Sequence, residues 1–191
     1  MRISPLLPIL LTVVLAACGA PPNKEMDQAQ GAIDAARAAG AAEYATTELT
    51  AATDALQSAN GAVAQRDYRL ALSFALESRE QAQNAARTAA DERARVRGEV
   101  ERTLAEVSGQ LAPLRARLDD VAPALAKLPA HAEARAALEA VEAEVAGARA
   151  LLETADYLAA RTSLDGLRSQ AADVEAQVET ATTPPTPRRR P

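Results

Sequence analysis

The chain has few aromatic residues and few of the side chains that carry chemistry. Its 191 residues include no Trp, one Phe, three Tyr, one His and one Cys. Aromatic and branched side chains supply most of the burial energy of a thick core, so we expect a thin core that limits deep ligand pockets. One Cys excludes an intramolecular disulfide, and one His with one Cys cannot complete a typical zinc site.

Catalytic signals are equally scarce. We expect His131, near a predicted helix start, to be an exposed side chain rather than a metal ligand or a catalytic base. The eight Gly residues are scattered singly, so no phosphate-binding loop is present. No sequence resembles a nucleophile elbow. We therefore predict no catalytic residue, no metal site and no enzymatic activity.

Charges of both signs alternate along the chain, and the formal net charge is −5. The segment Asp91-Glu92-Arg93-Ala94-Arg95 shows the pattern. Such spacing is typical of a solvated helix face with pairs at i and i+4. No basic face with interleaved aromatic residues occurs, so nucleic-acid binding is not expected.

Alanine, the best helix former, makes up about a quarter of the residues. Apolar residues recur at helical spacing along most of the chain. This predicts an all-α fold, an elongated antiparallel bundle of about six long Ala-rich helices, with two similar three-helix halves as one arrangement. The stripes that carry this prediction include Met26, Ala29, Ile33 and Ala36; Leu49, Ala52, Leu56, Ala59 and Val63; and Ala71, Ala75, Ala82, Ala85, Ala89, Val96, Val100, Leu104, Val107 and Leu111.

These stripes also predict helix boundaries. The first helix runs from about Lys24 to Gly40, and Thr46 or Thr47 is expected to cap the second, which ends near residues 65–67. A third helix opens at Tyr68 and has no strong breaker before 111. Later helices are expected over roughly 132–153 and from Tyr157 to about 178.

The second half repeats the first with an offset of 89 residues, unless two Ala-rich helices match by coincidence. Six residues recur in pairs: Asp67 and Asp156, Tyr68 and Tyr157, Ala71 and Ala160, Arg79 and Arg168, Gln81 and Gln170, and Ala82 and Ala171. In the motif Asp67, Tyr68 and Ala71, Asp can cap a helix, Tyr can pack across the turn, and Ala allows close helix approach. A structural turn and a peptide-binding groove both fit this motif.

On the repeat interpretation, the counterpart of the first helix follows residue 112. Its stripe is Leu114, Leu118, Val121, Leu125 and Leu128. Pro113 is then expected in the first turn, where its missing N–H costs little. Pro123 should kink or split that helix.

The N-terminal segment resembles a bacterial lipoprotein signal peptide. Arg2 precedes an apolar run over 6–17, and Leu15-Ala16-Ala17-Cys18 matches the lipoprotein box. The resemblance implies removal of residues 1–17 and acyl chains such as palmitate on Cys18, with 18–23 as a lipidated tether. Two or more acyl chains anchor a protein stably. Gly19, not Asp, follows the cysteine, which favours the outer membrane. An ordinary cleaved signal or a short uncleaved anchor are the alternatives.

The first half resembles the DUF4398 family of proteobacterial lipoproteins. The residues that carry the resemblance are 35–45 (Ala-Ala-Arg-Ala-Ala-Gly-Ala-Ala-Glu-Tyr-Ala), Glu48-Leu49, Arg66-Asp67-Tyr68 with Ala71, and the Ala-rich run to Ala90. We predict a DUF4398-like helical unit over 24–111, a second helical unit over 112–181 and a disordered Pro/Arg tail over 182–191 that includes Arg188–Arg190. The family implies no reaction and no catalytic residues.

Three functions remain open from the sequence. The first is a lipid-anchored, periplasm-facing scaffold or partner-binding spacer of the cell envelope, anchored in the membrane and bound to an envelope protein. The second is a homo-oligomer formed as a coiled coil through the 68–111 stripe. The third, least favoured, is a peptidoglycan-related envelope enzyme that uses acids such as Glu43 or Asp67.

Overall fold

The described part of the chain is built from α-helices. The computed structural model describes residues 20–183, so the predicted signal peptide, Cys18 and residues 184–191 lie outside it. The helices are α1 (Asn23–Ala38), α2 (Ala41–Tyr44), α3 (Thr46–Ala64), α4 (Tyr68–Asp119), α5 (Pro129–Glu153), α6 (Tyr157–Ser163) and α7 (Leu167–Thr182). Residues 20–183 contain no β-strand, and the predicted all-α helical bundle is confirmed.

Two compact units divide the chain, the first ending at Glu92 and the second beginning at Arg93. The predicted boundary at 111/112 lies within α4, as does the observed division. The division is earlier because residues 93–111 belong with the helices that follow: Ser108 accepts a hydrogen bond from Arg149 on α5 at 2.6 Å, and Glu106 pairs with Arg168 on α7 at 2.7 Å. Helix α4 thus contributes to both units.

In the first unit, α1, α3 and the first part of α4 pack through small side chains. The predicted stripes are buried where they meet, and alanines dominate the contact. The core contains Ile33, Ala36, Ala41, Ala45, Leu49, Ala52, Ala82, Ala85 and Ala89. Because alanine removes little surface from water but lets helix axes approach closely, this core is thin, as the composition predicts.

The second unit packs larger side chains against residues 93–119 of α4. Its buried residues include Val96, Val100, Leu104, Val107, Leu111, Leu138, Val141, Val145, Leu167, Val174 and Val178. Ion pairs border this core, with Arg115 on Glu142 of α5 and Arg117 on Glu179 of α7. Along α4 itself, Arg97 pairs with Glu101 at 2.7 Å, the i,i+4 arrangement expected from the charge pattern.

Pro113 lies inside α4, not in the first turn of a new helix, so that prediction was wrong. An interior proline costs about 3 kcal/mol, because it removes a hydrogen bond and crowds the carbonyl four residues earlier. Leu111, Leu114 and Leu118 flank it on the buried face and are 3%, 4% and 2% exposed. Burial of each leucine contributes roughly 1.5–3 kcal/mol. The three leucines together therefore stabilise the helix by more than Pro113 destabilises it, and the helix continues.

The predicted counterpart of the first helix does not form. Helix α4 ends at Asp119, and residues 120–128, which include Val121, Pro123 and Leu125, make turns that lead into α5. The first helix of the second unit is therefore the end of α4 itself. Pro129 stands in the first turn of α5, where its missing N–H is harmless.

Two glycines with positive φ stand at helix boundaries. Gly40, at φ +90°, follows the first helix as expected, but the short α2 begins directly after it. Ala45 separates α2 from α3. No side chain caps α3, and Thr46 donates to the Ala42 carbonyl instead, which overturns the predicted Thr cap. Gly166, at φ +85°, divides the predicted last helix into α6 and α7.

Candidate functional site

The two Asp-Tyr turns have the same backbone conformation, and each joins two helices of one unit. Arg66 precedes the first and Ala155 the second, 89 residues apart, with φ of 60° and 61°. They are the non-glycine residues with positive φ in the described chain. Sequence reasoning missed this conformation, because neither position carries the Gly or Asn that usually signals it.

The backbone hydrogen bonds of the turns also correspond pair by pair. The Asp67 N–H donates to the Ala62 carbonyl at 3.0 Å, and the Asp156 N–H donates to the Leu151 carbonyl at 3.0 Å. Together with the bonds donated by Arg66 and Ala155, this is the Schellman arrangement that closes a helix C-terminus. The offset of 89 residues thus relates two turns of the same geometry.

Each aspartate also starts the helix that follows. The Asp67 carboxylate accepts from the Leu70 N–H at 3.0 Å, and the Asp156 carboxylate accepts from the Ala159 N–H at 3.2 Å. Both bonds satisfy N–H groups that a helix start leaves without an internal partner. In each turn, the N–H of the aspartate therefore bonds to the end of the preceding helix, and its carboxylate caps the next helix.

Ala71 and Ala160 lie one turn further and are fully buried. Their N–H groups bond to the carbonyls of Asp67 and Asp156 at 2.9 and 3.0 Å. The absence of side-chain atoms beyond Cβ leaves room for the neighbouring helix, as the spacing predicts.

The two tyrosines differ in their surroundings. Tyr157 is half-buried, and the Arg93 guanidinium lies over its ring at 5.4 Å from the centroid, a cation–π contact. Tyr68 is also half-buried but faces an open cleft of about 880 Å³ in the first unit. The cleft is lined by Ala20, Pro21, Pro22, Glu25, Arg66, Asp67, Tyr68, Arg69 and Leu72.

The cleft lies beside the start of α1. Pro22 is buried and directly precedes α1, and its carbonyl accepts from the Met26 N–H at 3.0 Å. Arg66 and Arg69 place two cations on the rim, and Glu25 and Asp67 place two carboxylates there. The mixture of apolar floor and charged rim suits a surface contact, not an enclosed small-molecule site.

Ser78 and His131 are buried polar residues, and each makes a hydrogen bond between two helices of its own unit. Neither was identified from the sequence as a structural residue. Ser78 is fully buried in the alanine stripe of α4, and its hydroxyl donates to the Ala52 carbonyl of α3 at 2.7 Å. A polar residue within that stripe was the available signal. His131 is 9% exposed, against expectation, and its Nε2 donates to the Leu118 carbonyl at 3.0 Å. This bond satisfies an otherwise unpaired carbonyl at the end of α4.

The residues considered for chemistry are not brought together. Glu43 precedes α3 and Asp67 follows it, so a helix of 19 residues, about 28 Å long, separates them. Within residues 20–183, no three His, Cys, Asp or Glu side chains are grouped to hold a metal ion. None of the helices in that range is long and apolar enough to cross a membrane.

Residues 24–99 match the family described as Domain of unknown function (DUF4398). No curated protein matches the chain, and no solved structure matches it. The matched segment holds α1, α2, α3 and the first Asp-Tyr turn, whereas the second turn lies beyond it. The resemblance of the first half to DUF4398 is therefore confirmed over residues 24–99.

Proposed function

We propose that the protein is a lipid-anchored lipoprotein of the cell envelope that faces the periplasm and acts as a non-enzymatic scaffold or partner-binding spacer. The observation that carries the proposal is the short connection between the lipoprotein box and the fold. Only Gly19, Ala20, Pro21 and Pro22 separate Cys18 from the first residue of α1. An acylated Cys18 would therefore attach a folded helical unit directly to a membrane.

The surfaces of the two units support a scaffold over a coiled-coil oligomer. The 68–111 stripe, which was the candidate for self-association, is buried against helices of the same chain: Ala71, Ala82 and Val107 are fully buried. Self-association through that stripe would require both units to open. A partner would instead meet the exposed faces and the cleft beside Tyr68.

Acylation of Cys18 is tested by expressing the full chain with a C-terminal tag in a bacterium with two membranes. We expect the mature protein to begin at Cys18, to carry acyl chains by mass spectrometry and to leave the membrane fraction only with detergent. The Cys18→Ser variant should keep the helical circular dichroism spectrum but lose the acyl mass. A soluble, unmodified wild-type protein would contradict the anchor.

The scaffold role is tested by crosslinking the same two forms in living cells. Discrete envelope proteins that co-purify with the wild type and are lost with Cys18→Ser would support a membrane-localised scaffold. Crosslinks between copies alone would favour the homo-oligomer instead. Density-gradient separation of the two membranes tests the outer-membrane placement that Gly19 suggests.

A further inference from the structure

The first turns of α4 expose leucines that the fold does not need. Leu70, Leu72 and Leu76 are 43%, 37% and 41% exposed. Single exposed leucines are common, and Leu70 points about 160° away from Leu72 around the helix. Two exposed leucines that adjoin beside a cleft, however, indicate an interaction surface. Leu72 and Leu76 lie one turn apart on the same face of α4, and Leu72 lines the cleft.

The second unit provides an internal comparison for these positions. Ala159, Arg161 and Asp165 occupy the places that correspond, 89 residues later, to Leu70, Leu72 and Leu76. The turn geometry is the same in both units, so it does not require leucine at position 70 or 72. Arg161 stands where the first unit has Leu72, and Asp165 lies beyond the end of α6, whereas α4 continues and exposes Leu76. The exposed leucines are therefore a feature of the first unit that the shared turn does not explain.

The patch lies close to the predicted point of membrane attachment. Ala20, Pro21 and Leu72 line the same cleft, and buried Pro22 holds the start of the chain against the unit. Cys18 is two residues before Ala20, and two extended residues span at most about 7 Å. A bilayer that receives the acyl chains of Cys18 is therefore within reach of the cleft rim.

Two of the four charged residues that line the cleft can face an anionic surface. Arg66 and Arg69 are both exposed, whereas Glu25 is half-buried and the Asp67 carboxylate accepts from the Leu70 N–H. Arginines beside an apolar patch attract anionic lipid headgroups while the leucines enter the boundary between headgroups and acyl chains.

We propose that the Leu72–Leu76 face of α4, with Arg66 and Arg69, rests on the lipid surface that holds Cys18. This inference relies on the proposed acylation of Cys18. The partner is the bilayer itself, and the contact orients the first unit with the Asp67-Tyr68 turn toward the membrane and the later turns of α4 leading away from it. The acyl chains retain the protein, and the leucine face sets its orientation.

The absence of Trp from the chain allows a direct test. Two single-Trp variants of the full, acylated chain are compared, Leu72→Trp and Ala90→Trp. Ala90 is exposed and lies 18 residues further along α4, which is five turns and about 27 Å on the same face of the helix. Both proteins are placed in phosphatidylethanolamine and phosphatidylglycerol vesicles with phosphatidylcholine brominated near the headgroup end of its acyl chains.

Because interfacial side chains enter the bilayer by roughly 5–10 Å, we expect the Leu72→Trp emission to shift to the blue and fall about twofold relative to non-brominated vesicles. The Ala90→Trp emission should stay unquenched. Equal emission of Leu72→Trp in both vesicle types, in protein that floats with the vesicles, would overturn the inference and leave the anchor intact. Protein that does not float would refute the acylation on which the inference depends.

The Leu76→Trp variant provides a second test if Leu72→Trp loses its helical circular dichroism spectrum. Leu76 points the same way from the next turn and is 41% exposed, so an indole fits without entering the core. Quenching of Leu76→Trp supports the contact, and its absence in a folded, floating protein overturns it.

Discussion

The residue before each aspartate is in the left-handed conformation, so we expect glycine at that position to stabilise the protein. Ala155→Gly tests this most directly. Ala155 has φ +61°, a conformation that costs an L-residue about 1–2 kcal/mol and costs glycine nothing. Glycine also gains about 0.4–1 kcal/mol of backbone entropy in the unfolded chain. The difference predicts that Ala155→Gly stabilises the second unit by about 1 kcal/mol, although glycine is usually destabilising in a helical protein.

The assay is thermal and urea unfolding followed by circular dichroism at 222 nm. For a unit of this size, about 1 kcal/mol corresponds to a rise in melting temperature of about 4–8 °C. Ala143, exposed in the middle of α5, is the matched control. Ala143→Gly should lower stability by about 1 kcal/mol. A loss of stability in Ala155→Gly equal to that of Ala143→Gly would refute the left-handed turn.

Three further changes test the turns and one helix contact. Arg66→Gly should stabilise the first unit as Ala155→Gly stabilises the second, and a destabilised variant would argue against the repeat. Ala71→Leu and Ala160→Leu should each lower the free energy of unfolding in urea by about 1–3 kcal/mol, because both sites are fully buried. Ala90→Leu, at an exposed site, should change it little. Equal losses of stability in all three variants would contradict the packing. Arg117 donates a hydrogen bond to Glu179 and attracts its charge, which lowers the pKa of that carboxyl below its ordinary value of 4.5. A carboxyl with a lowered folded pKa stabilises the fold above its unfolded pKa, and the contribution disappears as the pH falls through the folded pKa. Glu179→Gln should therefore show a shallower loss of stability with pH below about 4.5 than the wild type, and identical profiles would contradict the pairing.

The helical stripes were predictable because burial in a helix follows a period of 3.6 residues, whatever the partner. Ala29, Ile33 and Ala36 on α1 and Val96 and Val107 on α4 are all buried as the spacing indicates. The Asp caps were predictable for a similar reason, since a side chain that accepts from the third following N–H is a local interaction.

The helix ends were predicted less well. Each depends on whether the local preference of the chain is stronger or weaker than packing and hydrogen bonds to other segments. At Pro113 the burial of three leucines outweighs a local cost, so α4 continues. At Thr46 a carbonyl of α2 accepts the hydroxyl that was expected to cap α3. His131 is buried because the end of α4 offers a carbonyl to its ring, and no sequence spacing indicates that neighbour.

The sequence by itself determined an all-α protein, the thin alanine core of the first unit, the repeat of the Asp-Tyr turns and the match of residues 24–99 to DUF4398. These features follow from local periodicity, helix propensity and short motifs, which act within a few turns of the chain. Only the tertiary structure decided that α4 serves both units, that Arg66 and Ala155 adopt the left-handed conformation, and that Leu72 lines the same cleft as Pro21. Each of these depends on which surfaces meet, because packing between distant segments supplies the free energy that selects one local conformation over another.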